Sequence, residues 1–470
     1  MKRGNLIANL DWITIMLFLL MVLLGWLNIF SAVYSDSHPS ILDFDQKYGK
    51  QFLWILAAIF IAIAILVIDH RFYEFFGYFI YGIAIFTLLA VLIVGKEING
   101  SKSWFVLGGF QIQPSEFAKP AVALALAKYL STFNINIQKA RTFIKVAIII
   151  FLPSLLILLQ PDTGSALVFF AFVLPLYREG FSGMILITMF TFALLFILVL
   201  LINELILLFI ILFVAFLACW LLFRNIKTLI TTLLIFTGYF ILIYGIAFAM
   251  GKEKAYYASA LIAFGLSLTT YLALVYFYRI RNAVKLLLAI AVVVVYTVAV
   301  DFAFENFLSD YQQRRVNIML GIQSDPLGAG YNVNQSLIAI GSGGFSGKGF
   351  LQGTQTKLDF VPEQSTDFIF CTVGEEWGFL GAFFITGLFL ALFFRLMQLA
   401  ERQKETFARV YGYGVISVIF IHFFINIAMT IGFFPVVGIP LPFFSYGGSS
   451  LWAFTILLFI FLRLDAGRLE

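Results

Sequence analysis

Glu116 and Lys119 stand three residues apart in Q-P-S-E-F-A-K, a segment that opens an apolar run. On a helix that spacing is one face, so the carboxylate and the ammonium can meet. Charge within an apolar span is costly and tends to face a polar cavity or pathway rather than lipid. Gln113-Pro114-Ser115-Glu116 is also an ordinary helix start, with proline early and acid in the first turn. Capping accounts for Glu116 by itself but less well for Glu116 together with Lys119, and the pair is read as functional. Just upstream, Trp104 lies where an aromatic belt residue would anchor at a membrane interface.

A second set lies in residues 301–366, a polar, glycine-rich and charged stretch in an otherwise apolar chain. Asp325, in S-D-P-L-G-A-G-Y, precedes a proline and therefore sits in extended or turn backbone. An aspartate there is often a plain turn residue. Arg314, Arg315, Lys348 and Lys357 are nearby in sequence, and a carboxylate among cations suits a general base working beside an anionic leaving group. Spacing alone leaves both readings open. The run G-S-G-G-F-S-G-K-G invites a phosphate-loop reading, which fails. The loop needs G-x-x-x-x-G-K-[ST], whereas Ser342 stands five before Gly347 and Gly349 follows Lys348. These glycines are assigned instead to close backbone approach to a large substrate. A third set lies in residues 432–450, where three prolines and several glycines interrupt apolar sequence. Broken backbone at membrane depth is tolerated only where protein or a cavity surrounds it. A re-entrant loop is expected, with Ser445 and the Gly447-Gly448 pair binding a polar headgroup or closing a tight turn.

The elements that must position these residues are membrane helices. The chain has 470 residues, of which 62% are hydrophobic and 12% charged, and its mean hydropathy is +1.01. A soluble protein of this composition would expose large apolar patches. The 57 phenylalanines come without sustained period-two alternation, which argues against a β-barrel. The expected fold is all-α: a polytopic membrane helix bundle of about 14 spans, at 12–34, 51–69, 75–95, 115–131, 143–160, 163–177, 183–201, 204–223, 228–250, 257–278, 283–303, 367–396, 408–431 and 443–463. The basic start M-K-R-G with its long apolar run reads as a retained first span rather than a cleaved signal.

With the N-terminus cytoplasmic, every inside loop carries Lys or Arg, from Arg71 through Lys139, Arg178, Arg224, Arg281 and Arg402 to Arg468. That places both termini inside and the 301–366 stretch outside. The loop at 251–256 goes against this rule. Asp162, after a helix-breaking proline, is either a cap for the next helix or functional. Cys219 and Cys371 give no disulfide framework and no metal spacing. His38, His70 and His422 form no ligand set, and His422 is assigned a packing role in an apolar helix. The net charge of +5 is modest, and no nucleic-acid partner is expected.

The motifs Q-P-S-E-F-A-K, Q-P-D-T-G-S-A, D-P-L-G-A-G-Y-N-V-N-Q-S-L-I-A-I-G-S-G-G, G-K-G-F-L-Q-G-T-Q, F-V-P-E-Q-S-T-D-F-I-F, E-E-W-G and P-L-P-F-F-S-Y-G-G-S-S together resemble the SEDS proteins (shape, elongation, division, sporulation). The resemblance covers nearly the whole chain in order. G-T-Q-T-K-L-D-F-V-P-E-Q-S-T-D-F is more similar to the RodA rod-shape branch than to the FtsW division branch. Thr163 departs from the leucine common in the family.

The resemblance implies a peptidoglycan glycosyltransferase that polymerises lipid II and releases undecaprenyl diphosphate at the outer face of the bacterial cytoplasmic membrane. It implies a class B penicillin-binding protein and the elongation machinery as partners, with membrane lipids around the bundle. It maps the essential loop aspartate onto Asp325, the loop tryptophan onto Trp104 and the helix pair onto Glu116 and Lys119. Arg314, Arg315, Gln335, Ser336, Lys348, Gln355, Glu363, Thr366, Asp367, Glu376 and Ser445 are expected to bind substrate or support the site. Glu363 and Thr366 have the alternative of capping the helix that follows.

The metal ligands are unknown, and a bound divalent cation, Mg or Mn, is compatible with the chemistry. Residues 1–470 are read as one integral membrane domain. Against a family core of about ten spans, residues 183–280 read as an insertion of four, and 301–366 as the large extracytoplasmic catalytic loop. A lipid II flippase and a scaffold for the penicillin-binding protein are the competing readings.

Overall fold

Long apolar runs with few internal breakers leave the backbone one economical way to satisfy its own hydrogen bonds, and most of the chain is helical. A computed structural model describes residues 6–34, 40–98, 100–108, 110–132, 135, 139–223, 226–252, 255–277, 281–308, 310–323, 325, 328, 330, 331–358 and 360–468. His38, Arg224, Glu253, Lys254, Ser324, Pro326 and the Cys219 side chain lie outside the described residues.

In chain order the first helices are α1 (Leu6–Asn9), α2 (Trp12–Val33), α3 (Lys47–Val67) and α4 (His70–Val94). Three strands follow, β1 (Lys96–Ile98), β2 (Ser101–Leu107) and β3 (Phe110–Ile112). Then come α5 (Pro114–Leu130), α6 (Ala140–Leu158), α7 (Thr163–Val168), α8 (Val173–Arg178) and α9 (Met184–Leu201). The next are α10 (Glu204–Phe223), α11 (Ile226–Ala249), α12 (Tyr256–Phe277), α13 (Arg281–Phe307) and α14 (Asp310–Met319). The last are α15 (Tyr331–Gly343), α16 (Thr354–Lys357), α17 (Ile369–Glu401), α18 (Thr406–Thr430) and α19 (Gly448–Gly467).

Each expected span coincides with helix. Among the described residues, eleven helices are long and apolar enough to cross a membrane, and Thr163–Arg178 and Glu204–Ala218 are shorter apolar helices. The expected span 115–131 is α5, a 17-residue helix carrying Glu116, Lys119 and Lys128. Two regions between the spans hold structure of their own. Residues 96–112 form an antiparallel meander in the order β1-β2-β3; the alternation in S-K-S-W-F-V-L is too short to stand out beside the helical runs. The 301–366 stretch holds the end of α13 and helices α14, α15 and α16.

The chain forms two compact units, residues 1–186 with 325–470, and residues 187–324. In the second, Val199, Leu208, Ile211, Phe236, Ala260 and Val294 make an apolar core. In the first, α5, α17, α18 and α19 supply most of the buried residues, with Lys119 among the largest fully buried side chains.

In the first unit, the glycine run after α15 meets a break in α17. Gly378 departs from helical geometry (φ 62°, ψ −156°). The break frees the carbonyls of Glu375 and Glu376, which accept from Lys348 N (3.0 Å) and Gly349 N (2.9 Å). In return Phe379 N and Leu380 N donate to the carbonyls of Gly344 (3.0 Å) and Phe345 (3.1 Å). The close approach expected of these glycines is therefore made to another stretch of backbone. A Cβ on Gly347 (φ +80°) would lie 2.1 Å from the Glu376 carbonyl oxygen. Gly347→Ala is expected to cost more than about 2 kcal/mol, combining backbone strain with overpacking. Gly387→Ala, with nothing within 4 Å of the new Cβ, is the neutral control. Melting temperatures in detergent compare the two.

Asp11 caps α2 by accepting from Thr14 N at 3.0 Å, and it also accepts from Arg395 Nε at 3.1 Å. Burial pushes the Asp11 carboxyl up, but the hydrogen bonds from Arg395 and Thr14 outweigh it and hold the group below its ordinary 3.8. A carboxyl held lower in the folded than in the unfolded protein adds stability above its unfolded value, and that stability is lost as pH falls through the folded value. Asp11→Asn should therefore lower the melting temperature at neutral pH and flatten its decline below about pH 4. A series of melts from neutral to acid pH reads both effects.

Candidate active site

Gln113 occupies the N-cap position of α5, with Pro114 in its first turn, as the sequence indicates. The start of α5 is tied down on several sides. Gln113 N donates to Ser449 Oγ (3.3 Å), and Ser449 Oγ donates to the Gln111 carbonyl (3.0 Å). Gln113 Nε2 donates to Asp162 Oδ2 at 2.9 Å, while Asp162 Oδ1 accepts from Ser165 N at 3.0 Å. Asp162 thus caps α7 and at the same time fixes the entry to α5.

One turn further along α5 the expected pair forms. Lys119 Nζ lies 2.6 Å from Glu116 Oε1, with the side chains only 1% and 3% exposed. Lys119 Nζ is also 2.9 Å from His422 Nε2, and it lies 5.5 Å from the centroid of the Phe454 ring. His422 Nδ1 is 3.3 Å from the Pro440 carbonyl. That carbonyl can only accept, so Nδ1 carries the proton and Nε2 accepts from the ammonium. Glu116 Oε2 and Ser115 Oγ are buried and make no hydrogen bond. The packing role assigned to His422 is therefore too small.

The broken segment 432–447 forms the opposite wall. Its carbonyls need donors, since no helix supplies them there. Asn426, one turn after His422 on α18, donates through Nδ2 to the carbonyls of Ile439 (2.7 Å) and Asp367 (2.8 Å). Ser445 Oγ accepts from Leu441 N (2.8 Å) and donates to the Thr366 carbonyl (2.6 Å). Tyr446 N donates to the Ser365 carbonyl (2.8 Å), and Lys47 Nζ donates to Ser365 Oγ (3.0 Å). Ser445 is thus a strut between the broken segment and residues 363–367. The alternative of helix capping fails for Glu363 and Thr366. Phe368 occupies the N-cap of α17 without a side-chain cap bond. Instead, Thr366 Oγ1 donates to Glu363 Oε2 at 3.0 Å across a tight turn, with Glu363 at φ 54°.

Lys348 and Gln355 belong to a different cluster. Glu375, fully buried, accepts from Lys348 Nζ (2.7 Å), Thr354 N (2.7 Å), Gln355 N (2.9 Å), Thr356 N (3.0 Å) and Thr356 Oγ1 (2.9 Å). It is the anion at the start of α16, and Lys348 is its counter-ion. Glu376 accepts from Ser31 Oγ on α2. Ser336 donates to the Thr430 carbonyl at 2.9 Å, which holds α15 against α18. Gln335 is half-buried one position earlier on α15, and Trp104 is half-buried on β2 opposite Lys96 of β1.

Asp325 is half-buried at the first residue of the returning chain. Its Oδ1 accepts from Gly328 N at 2.9 Å, and its carbonyl accepts from Gly330 N at 3.1 Å. The turn role is thus real. Arg314 and Arg315 lie on α14 in the other unit. Cys371 is a buried free thiol on α17.

Several comparisons bear on this arrangement. The chain is 32% identical over 474 residues to the peptidoglycan glycosyltransferase RodA of Treponema pallidum, covering 98% of this chain and 99% of that one. It is 32% identical to MrdB, a peptidoglycan glycosyltransferase of Escherichia coli K12, over 92% of this chain and 88% of the relative. Stage V sporulation protein E of Bacillus subtilis is 28% identical over 94% of this chain and 93% of its own length. Among solved structures, a chain of a peptidoglycan synthase complex matches 98% of this chain and 99% of its own, with TM-score 0.60 and 25% identity. The rod shape determining protein RodA of Thermus thermophilus matches with TM-score 0.56 at 23% identity, over 98% of each chain. The sequence model for the cell cycle proteins of the FtsW, RodA and SpoVE group matches residues 11–208 and 208–469, and the chain belongs to that family.

Proposed function

We infer that this multi-pass membrane protein is a peptidoglycan glycosyltransferase of the RodA type. In this reading it polymerises lipid II at the outer face of the bacterial cytoplasmic membrane, with both termini cytoplasmic, and serves cell elongation beside a class B penicillin-binding protein. The observation that carries the reading is the 32% identity to a glycosyltransferase over 98% of the chain. The buried Glu116–Lys119–His422 group supports an enzyme over a scaffold, because a protein that only recruits a partner has no use for a buried ammonium with an unpartnered carboxylate oxygen beside it.

The reaction joins the 4-hydroxyl of one sugar to the anomeric carbon of another, with inversion, as undecaprenyl diphosphate leaves. Asp325 accepts the hydroxyl proton. Lys119 faces the negative charge that grows on the diphosphate. Glu116 orients Lys119. A divalent cation, Mg or Mn, could also neutralise the diphosphate, but no three His, Cys, Asp or Glu side chains converge among the described residues. No step is assigned to a metal. Residues 183–280 are read as a block added to the family core.

Purified protein with its penicillin-binding partner and lipid II in detergent, where no membrane is left to cross, tests the reading. Glycan strands are the expected product. No strands, with lipid II transport in vesicles, would make the protein a carrier.

A further inference from the structure

We propose that His422 is a positioning residue for Lys119: through Nε2 it holds the ammonium at the reacting diphosphate, and through Nδ1 it ties that ammonium to the broken segment 432–447. This deepens the glycosyltransferase reading and rests on it.

The geometry separates this role from packing. Lys119 Nζ has two near neighbours of different kinds, Glu116 Oε1 at 2.6 Å and His422 Nε2 at 2.9 Å. Glu116 is on the same helix, three residues away, so by itself it lets the lysine swing with α5. His422 comes from α18, and its other nitrogen is 3.3 Å from the Pro440 carbonyl. The lysine is thereby referenced to a second helix and to the broken segment. The ring is held edge-on against Phe454, with centroids 4.8 Å apart, and the residue is 1% exposed. A long flexible ammonium is a poor electrostatic catalyst unless its position is fixed before charge develops.

The charge arithmetic agrees. A buried carboxylate and a buried ammonium neutralise each other, and a neutral imidazole accepting from the ammonium adds a hydrogen bond without adding charge. The ammonium has three protons, and Glu116 and His422 take two. The third is directed elsewhere and is the one available to a diphosphate oxygen. A histidine that served only to fill space would not need its Nε2 within hydrogen-bond distance of the one fully buried lysine among the described residues.

Glutamine and asparagine tell the two roles apart. A glutamine carbonyl reaches about as far as Nε2, whereas an asparagine reaches only about as far as Nδ1. His422→Gln keeps an acceptor for Lys119. His422→Asn keeps contact with Pro440 but loses the lysine. The experiment measures polymerisation against lipid II concentration for wild type and both variants, each purified with the penicillin-binding partner, alongside melting temperatures. His422→Asn should lower kcat about a hundredfold, the scale of a misplaced catalytic group. His422→Gln should recover to within about tenfold of wild type, and this difference should persist where the two melting temperatures agree. Equal kcat for the two variants, whether both high or both low, would overturn the proposal. So would a kcat order that simply follows the melting temperatures. Absence of polymerisation by wild type itself would instead remove the glycosyltransferase reading on which the proposal rests.

Discussion

Replacing Asp325 by asparagine should abolish glycan polymerisation while leaving the protein folded and able to bind its partner. Asparagine keeps an oxygen where Asp325 Oδ1 accepts from Gly328 N, so the turn survives. What it loses is basicity. If the carboxylate accepts the proton of the attacking hydroxyl, the rate should fall by about a thousandfold, within the usual range for a general base. Asp325→Ala should be equally inactive and slightly less stable, because the amide of exposed Gly328 then turns to water. The measurement is strand formation from lipid II by the purified complex, with co-purification of the partner as the folding control. Wild-type activity in the asparagine variant would reduce Asp325 to the turn residue its spacing suggests.

The second large effect concerns the buried pair. Lys119→Met leaves the Glu116 carboxylate 3% exposed with neither oxygen paired to a cation, and it removes the donor from His422 Nε2. Breaking one side of a buried ion pair costs about 3–5 kcal/mol, whereas replacing both sides with neutral groups of similar size is close to neutral. Lys119→Met should therefore melt far below wild type. Adding Glu116→Gln should restore most of the melting temperature without restoring polymerisation, since the ammonium is still missing. A single variant that melts like wild type would mean that the pair is solvated. A double variant that polymerises would mean that the ammonium is not used. The two measurements separate the structural share of Lys119 from its chemical share.

Much of the architecture is legible in the chain because it is local. Whether about 20 residues can cross a bilayer is a property of those residues alone, and each expected span coincides with helix. Helix starts are local too: Gln113-Pro114 begins α5, and Asp162 caps α7. The Glu116–Lys119 pair is set by helical spacing and needs no distant partner to be foreseen. The β1-β2-β3 meander is local but escapes notice, because its alternation covers few residues within a chain dominated by helical runs.

The polar contacts between segments are a different matter. His422 lies 303 residues from Lys119, and Ser31 lies 345 from Glu376. Nothing in either neighbourhood names the other. One signal was available for His422: it stands four residues before Asn426, on the same face of α18, just ahead of a proline-broken segment whose carbonyls need donors. The glycine run 341–349 announces close approach, and only the fold shows that the approaching surface is the kink at Gly378. Likewise Lys348, one cation among several in the sequence, is committed in the fold to Glu375.

The sequence by itself determined the membrane helices, the charged pair on α5 and the family, since these depend on run length, spacing and motif order. The tertiary structure alone decided which polar groups meet. In an apolar interior most buried donors and acceptors find a partner, and which partner each finds depends on how distant helices pack.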